Sequence, residues 1–189
     1  MSDPAPTAPN DLDSPQYDVI NLPYRLAVLC YLWDAQGRLL LLHRAKAPNA
    51  GLYSPIGGKI EVSRGESPHQ CALREIEEES GVRLQSHEAR LCGMVAERGY
   101  EGKHHWLIFL YEATRPIAHA EVPVMRFDEG TLEWIDEDRV ATIGIPWTDQ
   151  SILWPAIRAH RGGFFAVDID CSVRPPTHRI VESWGPVGR

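Results

Sequence analysis

The sequence has no Cys-x-x-Cys pair, no apolar run of membrane length and no surplus of basic residues. Its four cysteines, Cys30, Cys71, Cys92 and Cys171, are scattered, which argues against a zinc site or a redox motif. Cys30 lies inside the apolar run Leu26 to Trp33, where a buried thiol is the expectation. No stretch approaches the length of a membrane span, and the N-terminus lacks the basic and apolar parts of a secretory signal. A reduced, cytoplasmic protein without membrane attachment is expected. With a formal charge of −7, the basic footprint of a nucleic-acid polymer binder is missing. A small phosphorylated substrate stays compatible, because a bound divalent cation reverses the local sign. No internal repeat is visible.

What is present is an ordinary globular composition, 43% hydrophobic and 24% charged over 189 residues, enough for one domain with a real core. Pro4, Pro6, Pro9 and Pro15 crowd a start that has few large apolar residues, so residues 1–20 are expected to be a disordered tail and 21–189 the domain. Leu26 to Trp33 predicts a buried strand, Asp34 to Gly37 a hairpin-like turn, and Arg38 to His43 its partner strand. A loop follows over Ala47 to Gly51. Ala89 to Ala96, His105 to Glu112, Leu132 to Ile135 and Phe164 to Cys171 lean to strand. Two helices are predicted. The first runs from Ser67, an N-cap followed by Pro68, to Ser80, with Gly81 as its stop. The second spans Thr148 to Arg161, with Asp149 in its first turn and Gly162-Gly163 beyond it. Strands and helices interleave without a regular βαβ rhythm, which predicts an α+β fold with a mixed sheet packed between helices.

The first helix is chemically unusual. Arg74-Glu-Ile-Glu-Glu-Glu-Ser-Gly81 puts four carboxylates into five positions. At about 100° per residue, Glu75, Glu78 and Glu79 share one arc while Glu77 points away. Like charges at these spacings destabilise a helix by a few tenths of a kcal/mol (about 0.2–0.5) per pair, and they sit at the wrong end of its dipole. Converging hard oxygens suit Mg²⁺. A solvated acidic face with Arg74 as counter-charge is the alternative. Ahead of the helix, Pro55-Ile-Gly-Gly-Lys-Ile-Glu61 supplies paired glycines that let backbone approach a ligand closely.

From Gly58 to Val82 the chain resembles the Nudix box: Gly58, Glu66, Arg74, Glu75, Ile76, Glu78, Glu79, Gly81 and Val82 match its fixed positions. One departure is a loop two residues longer than the family pattern between Gly58 and Glu66, around Val62-Ser-Arg64, which displaces the loop without removing a ligand. The resemblance implies the Nudix fold and a Mg²⁺-dependent (Mn²⁺ as alternative) pyrophosphohydrolase acting on a small nucleotide. It implies Glu75, Glu78 and Glu79 as metal ligands assisted by a carbonyl near Gly58, with Arg74, Glu66 and Gly81 structural. Glu75 and Glu129 are the candidate general bases, the latter because family members often add an acid from a loop outside the box. A solvated loop acid is the other reading of Glu129.

The second half is similar, more loosely, to the family's oxidised-purine nucleoside triphosphatases of the 8-oxo-dGTP diphosphatase type. Trp134, Ile145 to Pro155 and Gly162 to Phe165 carry that likeness. It implies a base pocket with Trp147 stacking on a nucleobase and Asp149 and Gln150 addressing its edge. Gln150 replaces the group's second acid, and Ser54 stands where the group has asparagine. A helix-capping Asp149 with Trp147 in the core is the competing reading. Tyr100 points faintly to dinucleoside polyphosphates, and His104-His105 is expected as a surface pair. Three alternatives accompany the hydrolase reading: hydrolysis of a nucleotide sugar or dinucleoside polyphosphate, a nucleotide sensor that does not cut, and an acidic docking face.

Overall fold

Four consecutive leucines, Leu39 to Leu42, lie in β2 (Leu39–Arg44) and all four are buried. Their side chains alternate between two clusters, Leu39 and Leu41 in one and Leu40 and Leu42 in the other. A strand buried on both faces reads as a continuous apolar run rather than an alternating one. The same holds for β1 (Tyr24–Tyr31) and the residues after it, where Tyr31 and Trp33 face the first cluster and Val28, Cys30 and Leu32 the second. These central strands therefore divide the core in two.

The computed structural model describes residues 24–185 apart from 48, 103 and 124; the tail expected over residues 1–20 lies outside them. The remaining elements are β3 (Tyr53–Ser54), α1 (Pro68–Ser80), β4 (Ala89–Tyr100), β5 (His104–Ala113), β6 (Arg126–Phe127), β7 (Gly130–Ile135), α2 (Trp154–Ala159), β8 (Phe164–Asp170) and β9 (Thr177–Trp184). A mixed five-stranded sheet runs β1-β5-β4-β8-β9, and an antiparallel four-stranded sheet runs β3-β2-β7-β6. The α1 side chains Cys71, Ala72 and Ile76 close one cluster, and Ile152, Leu153, Trp154, Ala156 and Ile157 close the other. This is the α+β arrangement expected, with helices on both sides of the sheets.

One expected pairing is wrong. β1 and β2 meet at a tight turn but do not continue as a hairpin. The Asp34 carboxylate accepts from the Gln36 and Arg38 N–H groups at 2.9 and 2.8 Å and folds the chain back. Beyond the Trp33–Leu39 bridge, β1 pairs in parallel with β5 and β2 joins β7. A turn dictates register for only a few residues. Strands that each need both faces covered separate into different sheets.

The second helix is not uniform either. A π-helical turn over Asp149–Leu153 precedes α2, with the Trp154 N–H bonded to the Asp149 carbonyl. Pro155 lacks an N–H and its ring crowds the carbonyl four residues back, which falls at Ser151, and widening the turn relieves that contact. His104 and His105 are half-buried rather than surface groups: His104 contacts Arg25, and His105 accepts from the Gly99 N–H at 3.1 Å. β9 was not expected at all. Its eight residues are exposed, so it carries no burial pattern, and the free edge of β8 determines its register.

Candidate active site

Local chemistry delimits α1. Ser67 Oγ accepts from the Gln70 N–H while Gln70 Oε1 accepts from the Ser67 N–H, a reciprocal cap. Gly81 ends the helix at φ 76°, a left-handed position that suits glycine. The box loop's extra residues form a 3-10 turn over Val62–Arg64, closed by Gly65 at φ 66°. That turn brings Glu66 back to the helix, where its Oε2 also accepts from the Glu61 N–H at 2.8 Å.

Arg74 organises the acids. Its Nε and Nη2 donate to the two oxygens of Glu66 at 2.7 and 3.0 Å. Its Nη1 donates to Glu75 at 2.7 Å and to Glu78 at 3.0 Å. The Arg74 guanidinium holds the Glu66 carboxyl at a pKa of about 2, well below the usual range, although burial opposes the shift. Glu77, on the far face, pairs with Arg83 instead.

Glu75 and Glu79 have the opposite electrostatics. Burial raises both, and the charge of Glu129 raises both further; Glu79, only 8% exposed, is pushed up to about 8. Glu79 Oε2 accepts from the Gly57 N–H at 3.2 Å. Gly57 is sterically required by backbone, and Gly58 leaves room for the Glu75 carboxylate. A Cβ at Gly57 would lie 2.2 Å from the Val28 carbonyl oxygen, and one at Gly58 would lie 2.3 Å from Glu75 Oε1. The Gly58 carbonyl itself accepts from the Val28 N–H at 2.9 Å. Glu129 is exposed in the turn between β6 and β7, held there by its carbonyl accepting from the Ala45 N–H at 2.7 Å.

Among the described residues no three His, Cys, Asp or Glu side chains already enclose an ion position. The donor set nevertheless fits a hard divalent cation. Buried carboxylates repelling one another are relieved by such a charge, and Mg²⁺ asks for only one or two carboxylates while water and phosphate fill its other positions. Glu75, Glu78 and Glu79, with the Gly58 carbonyl beside them, are the residues that would hold it.

The expected base-pocket residues are not all brought together. Asp149, half-buried and raised to about 7 by burial and then by the Glu97 charge, shares a recess of about 20 Å³ with Ser54 and Tyr31. Ser54 Oγ is buried there without a hydrogen-bond partner. Trp147 is 46% exposed and lines a different, larger cavity of about 520 Å³. Gln150 joins neither: its exposed Nε2 donates to the Ala141 carbonyl at 2.7 Å. Successive helical residues point about 100° apart, so Asp149 and Gln150 do not present one edge. Asp149 does not cap its helix through its side chain, and Trp147 is not core. Sequence reasoning missed Glu97, a buried acid in β4 that accepts from the Cys171 thiol at 3.2 Å, and Arg174 in the turn between β8 and β9, on the wall of the larger cavity. No spacing signal marked either one.

The class defined by this fold is an α+β domain of two sheets whose first helix carries a cluster of carboxylates organised by one arginine. The family model of the NUDIX domain matches residues 23–154, and the chain belongs to that family. RNA pyrophosphohydrolases of Gluconacetobacter diazotrophicus and Dinoroseobacter shibae are each 37% identical to it over 71 residues, covering 34% and 38% of this chain. The chain matches only 41% and 42% of those proteins' lengths. The MutT protein of Bacillus halodurans superposes with a TM-score of 0.65 at 21% identity, over 83% of this chain and 97% of that one. A MutT NUDIX hydrolase of Burkholderia pseudomallei superposes at 0.52 with 29% identity, over 65% and 87%.

Proposed function

We propose that this chain is a Mg²⁺-dependent pyrophosphohydrolase that cuts a diphosphate linkage in a nucleoside triphosphate or related small nucleotide. The observation that carries this reading is Glu79: a carboxylate almost wholly buried on the α1 face that also carries Glu75, close enough to feel that charge, and anchored to the Gly57 N–H. Names of the curated relatives agree in reaction class, since RNA pyrophosphohydrolysis also breaks a phosphoric anhydride. Purine nucleoside triphosphates, modified ones included, are the substrates the second half favours; nucleotide sugars and dinucleoside polyphosphates are the alternatives.

Bound Mg²⁺ (or Mn²⁺) supplies charge neutralisation on the non-bridging phosphate oxygens and a lowered pKa for a water it holds. The chain's own residues do the rest. Arg74 fixes the Glu75 and Glu78 carboxylates on one face, and Glu66 fixes Arg74. Gly57 and Gly58 let both glutamates lie against the backbone. A carboxylate then takes the proton from the attacking water. Glu75, Glu79 and Glu129 are the candidates, and Glu79 offers Oε1 while Oε2 stays on the Gly57 N–H. A reducing compartment, the cytoplasm, is part of the same reading, with Cys30, Cys71, Cys92 and Cys171 buried as thiols.

The test is a panel of nucleoside triphosphates, oxidised purine nucleotides, nucleotide sugars and dinucleoside polyphosphates, with Mg²⁺ present or chelated. Glu79→Gln serves as the control. Turnover that needs Mg²⁺ and falls about a hundredfold in the variant supports the proposal. Tight binding of one nucleotide without turnover would replace it with a sensor. Metal-independent binding of a protein partner would replace it with a docking face.

A further inference from the structure

The larger cavity has a construction of its own. Its walls come from four places far apart in sequence: Asn49 after β2, Tyr100 and Glu101 at the turn after β4, Trp147 before α2, and Cys171 and Arg174 in the β8–β9 turn. That last turn lies beyond residue 154, where the family match ends. At about 520 Å³ the cavity falls within the range of small-molecule sites. The recess beside Asp149 and Ser54, at about 20 Å³, has room for roughly one water molecule. Volume alone moves a nucleobase out of the recess and into the cavity.

A second observation concerns backbone strain. Among the described residues, only Asn49 (φ 62°) and Glu101 (φ 52°) are non-glycines at positive φ, and both line this cavity. Asparagine tolerates that region; glutamate rarely occupies it. The Gly99 carbonyl accepts from the Gly102 N–H at 2.9 Å, so Tyr100 and Glu101 are the central pair of a turn. Glu101 occupies the position that glycine or asparagine normally takes when φ is positive. Strained residues cluster where a side chain is needed for binding. Here the strain sets a carboxylate on the same wall as a stacking ring.

We propose that this cavity, and not the recess at Asp149 and Ser54, receives the substrate's base, and that the base is guanine-type: stacked on Trp147 and Tyr100, with its acceptor edge on Arg174 and its donor edge on Glu101. The inference rests on the hydrolase reading above for the rest of the substrate. Trp147 is half-exposed, and stacking on a flat heteroaromatic ring covers it. A guanidinium donates in parallel to O6 and N7, which guanine presents as two adjacent acceptors; adenine puts an amino donor at the first of these positions. A carboxylate accepts from N1–H and the 2-amino group, donors that adenine, cytosine and uracil do not offer together. Arg174 and Glu101 are thus the specificity-determining residues, and Asp149 stays in the recess with Ser54.

Binding of GMP, AMP, CMP and UMP to the full chain, with Mg²⁺ chelated, is measured by quenching of tryptophan fluorescence, with Trp147→Phe identifying the reporting ring. GMP should bind about tenfold tighter than AMP. Arg174→Ala and Glu101→Asn should each weaken GMP about tenfold while leaving AMP within about twofold, erasing the preference. Glu101→Asn is chosen because asparagine suits the turn, so its melting temperature should not fall. Equal affinity for the four nucleotides, or a guanine preference that survives both substitutions, overturns the proposal. So does a preference abolished by Asp149→Asn alone. The two readings fail separately. GMP binding that follows this pattern without hydrolysis of any panel compound removes the enzyme and keeps the cavity. Mg²⁺-dependent hydrolysis indifferent to the base does the reverse.

Discussion

The acid face of α1 and the cavity under Trp147 would serve one substrate, yet they are assembled by opposite means. Every proposed metal ligand lies between Gly58 and Glu79, with Arg74 holding Glu75 and Glu78 and the Gly57 N–H holding Glu79. The cavity takes its walls from segments that meet only after both sheets form. A contiguous site survives loop variation, as the enlarged Val62–Arg64 turn shows by returning Glu66 to Arg74. A site gathered from distant segments changes with each of them, which makes it the natural place for specificity to vary. The difference teaches where to look for reaction class and where to look for substrate.

The largest effect expected separates the two at once. Glu79→Gln should reduce turnover about a hundredfold or more while nucleotide binding measured without metal stays unchanged. Because it removes a buried carboxylate facing Glu75, the variant should melt no lower than the parent. A matching loss of metal-free binding would mean that the two regions are not independent.

Gly58→Ala sharpens the role of the backbone. Its new Cβ would lie 2.3 Å from Glu75 Oε1, so the carboxylate must move. A misplacement of about 1 Å at a reacting centre can cost about a hundredfold. We expect a loss of about tenfold or more in kcat with KM little changed. A kcat within twofold of the parent would show that Glu75 tolerates displacement.

Glu66 tests the electrostatic support of the acid face. Its folded pKa, lowered by the Arg74 hydrogen bonds, is about 2 against an ordinary 4.5. A depressed carboxyl stabilises the fold above pH 4.5, and that contribution is lost as pH falls towards 2. The shift corresponds to a contribution on the order of 3 kcal/mol at neutral pH. Glu66→Gln should therefore lower stability at pH 7, and the gap to the parent should close in urea titrations run between pH 4.5 and 2. A gap that stays constant over that window would assign the loss to packing instead.

The smallest effect is expected at Gln150. Gln150→Ala removes one exposed hydrogen bond to the Ala141 carbonyl and should change stability by no more than about 0.5–1 kcal/mol. Base preference should be unaffected. A changed preference would return Gln150 to the base site and break the contrast between the two regions.

Legibility in the sequence follows the same division. Ser67, Pro68 and Gly81 delimited α1 correctly because caps and stops act within a turn of the residues that carry them. The acid face was readable for the same reason: helical geometry alone puts Glu75, Glu78 and Glu79 on one side. The leucines of β2 announced a buried strand, but their neighbours were misjudged, since partner choice depends on which distant strand covers each face. β9 left no trace because a wholly exposed strand has no pattern to show. Arg174, Glu101 and Glu97 were invisible as site residues, each being an ordinary charged residue until the fold placed it.

The sequence by itself determined the family, the α+β class, the helix boundaries at Ser67 and Gly81, and the converging acids of the box, all through interactions spanning a few residues. Only the tertiary structure decided that β1 and β2 part into different sheets, that burial drives Glu79 to about 8 while Arg74 holds Glu66 near 2, and that Trp147 and Asp149 line separate spaces. Burial and cavity shape are properties of surfaces brought together from far apart along the chain, and no local pattern encodes them.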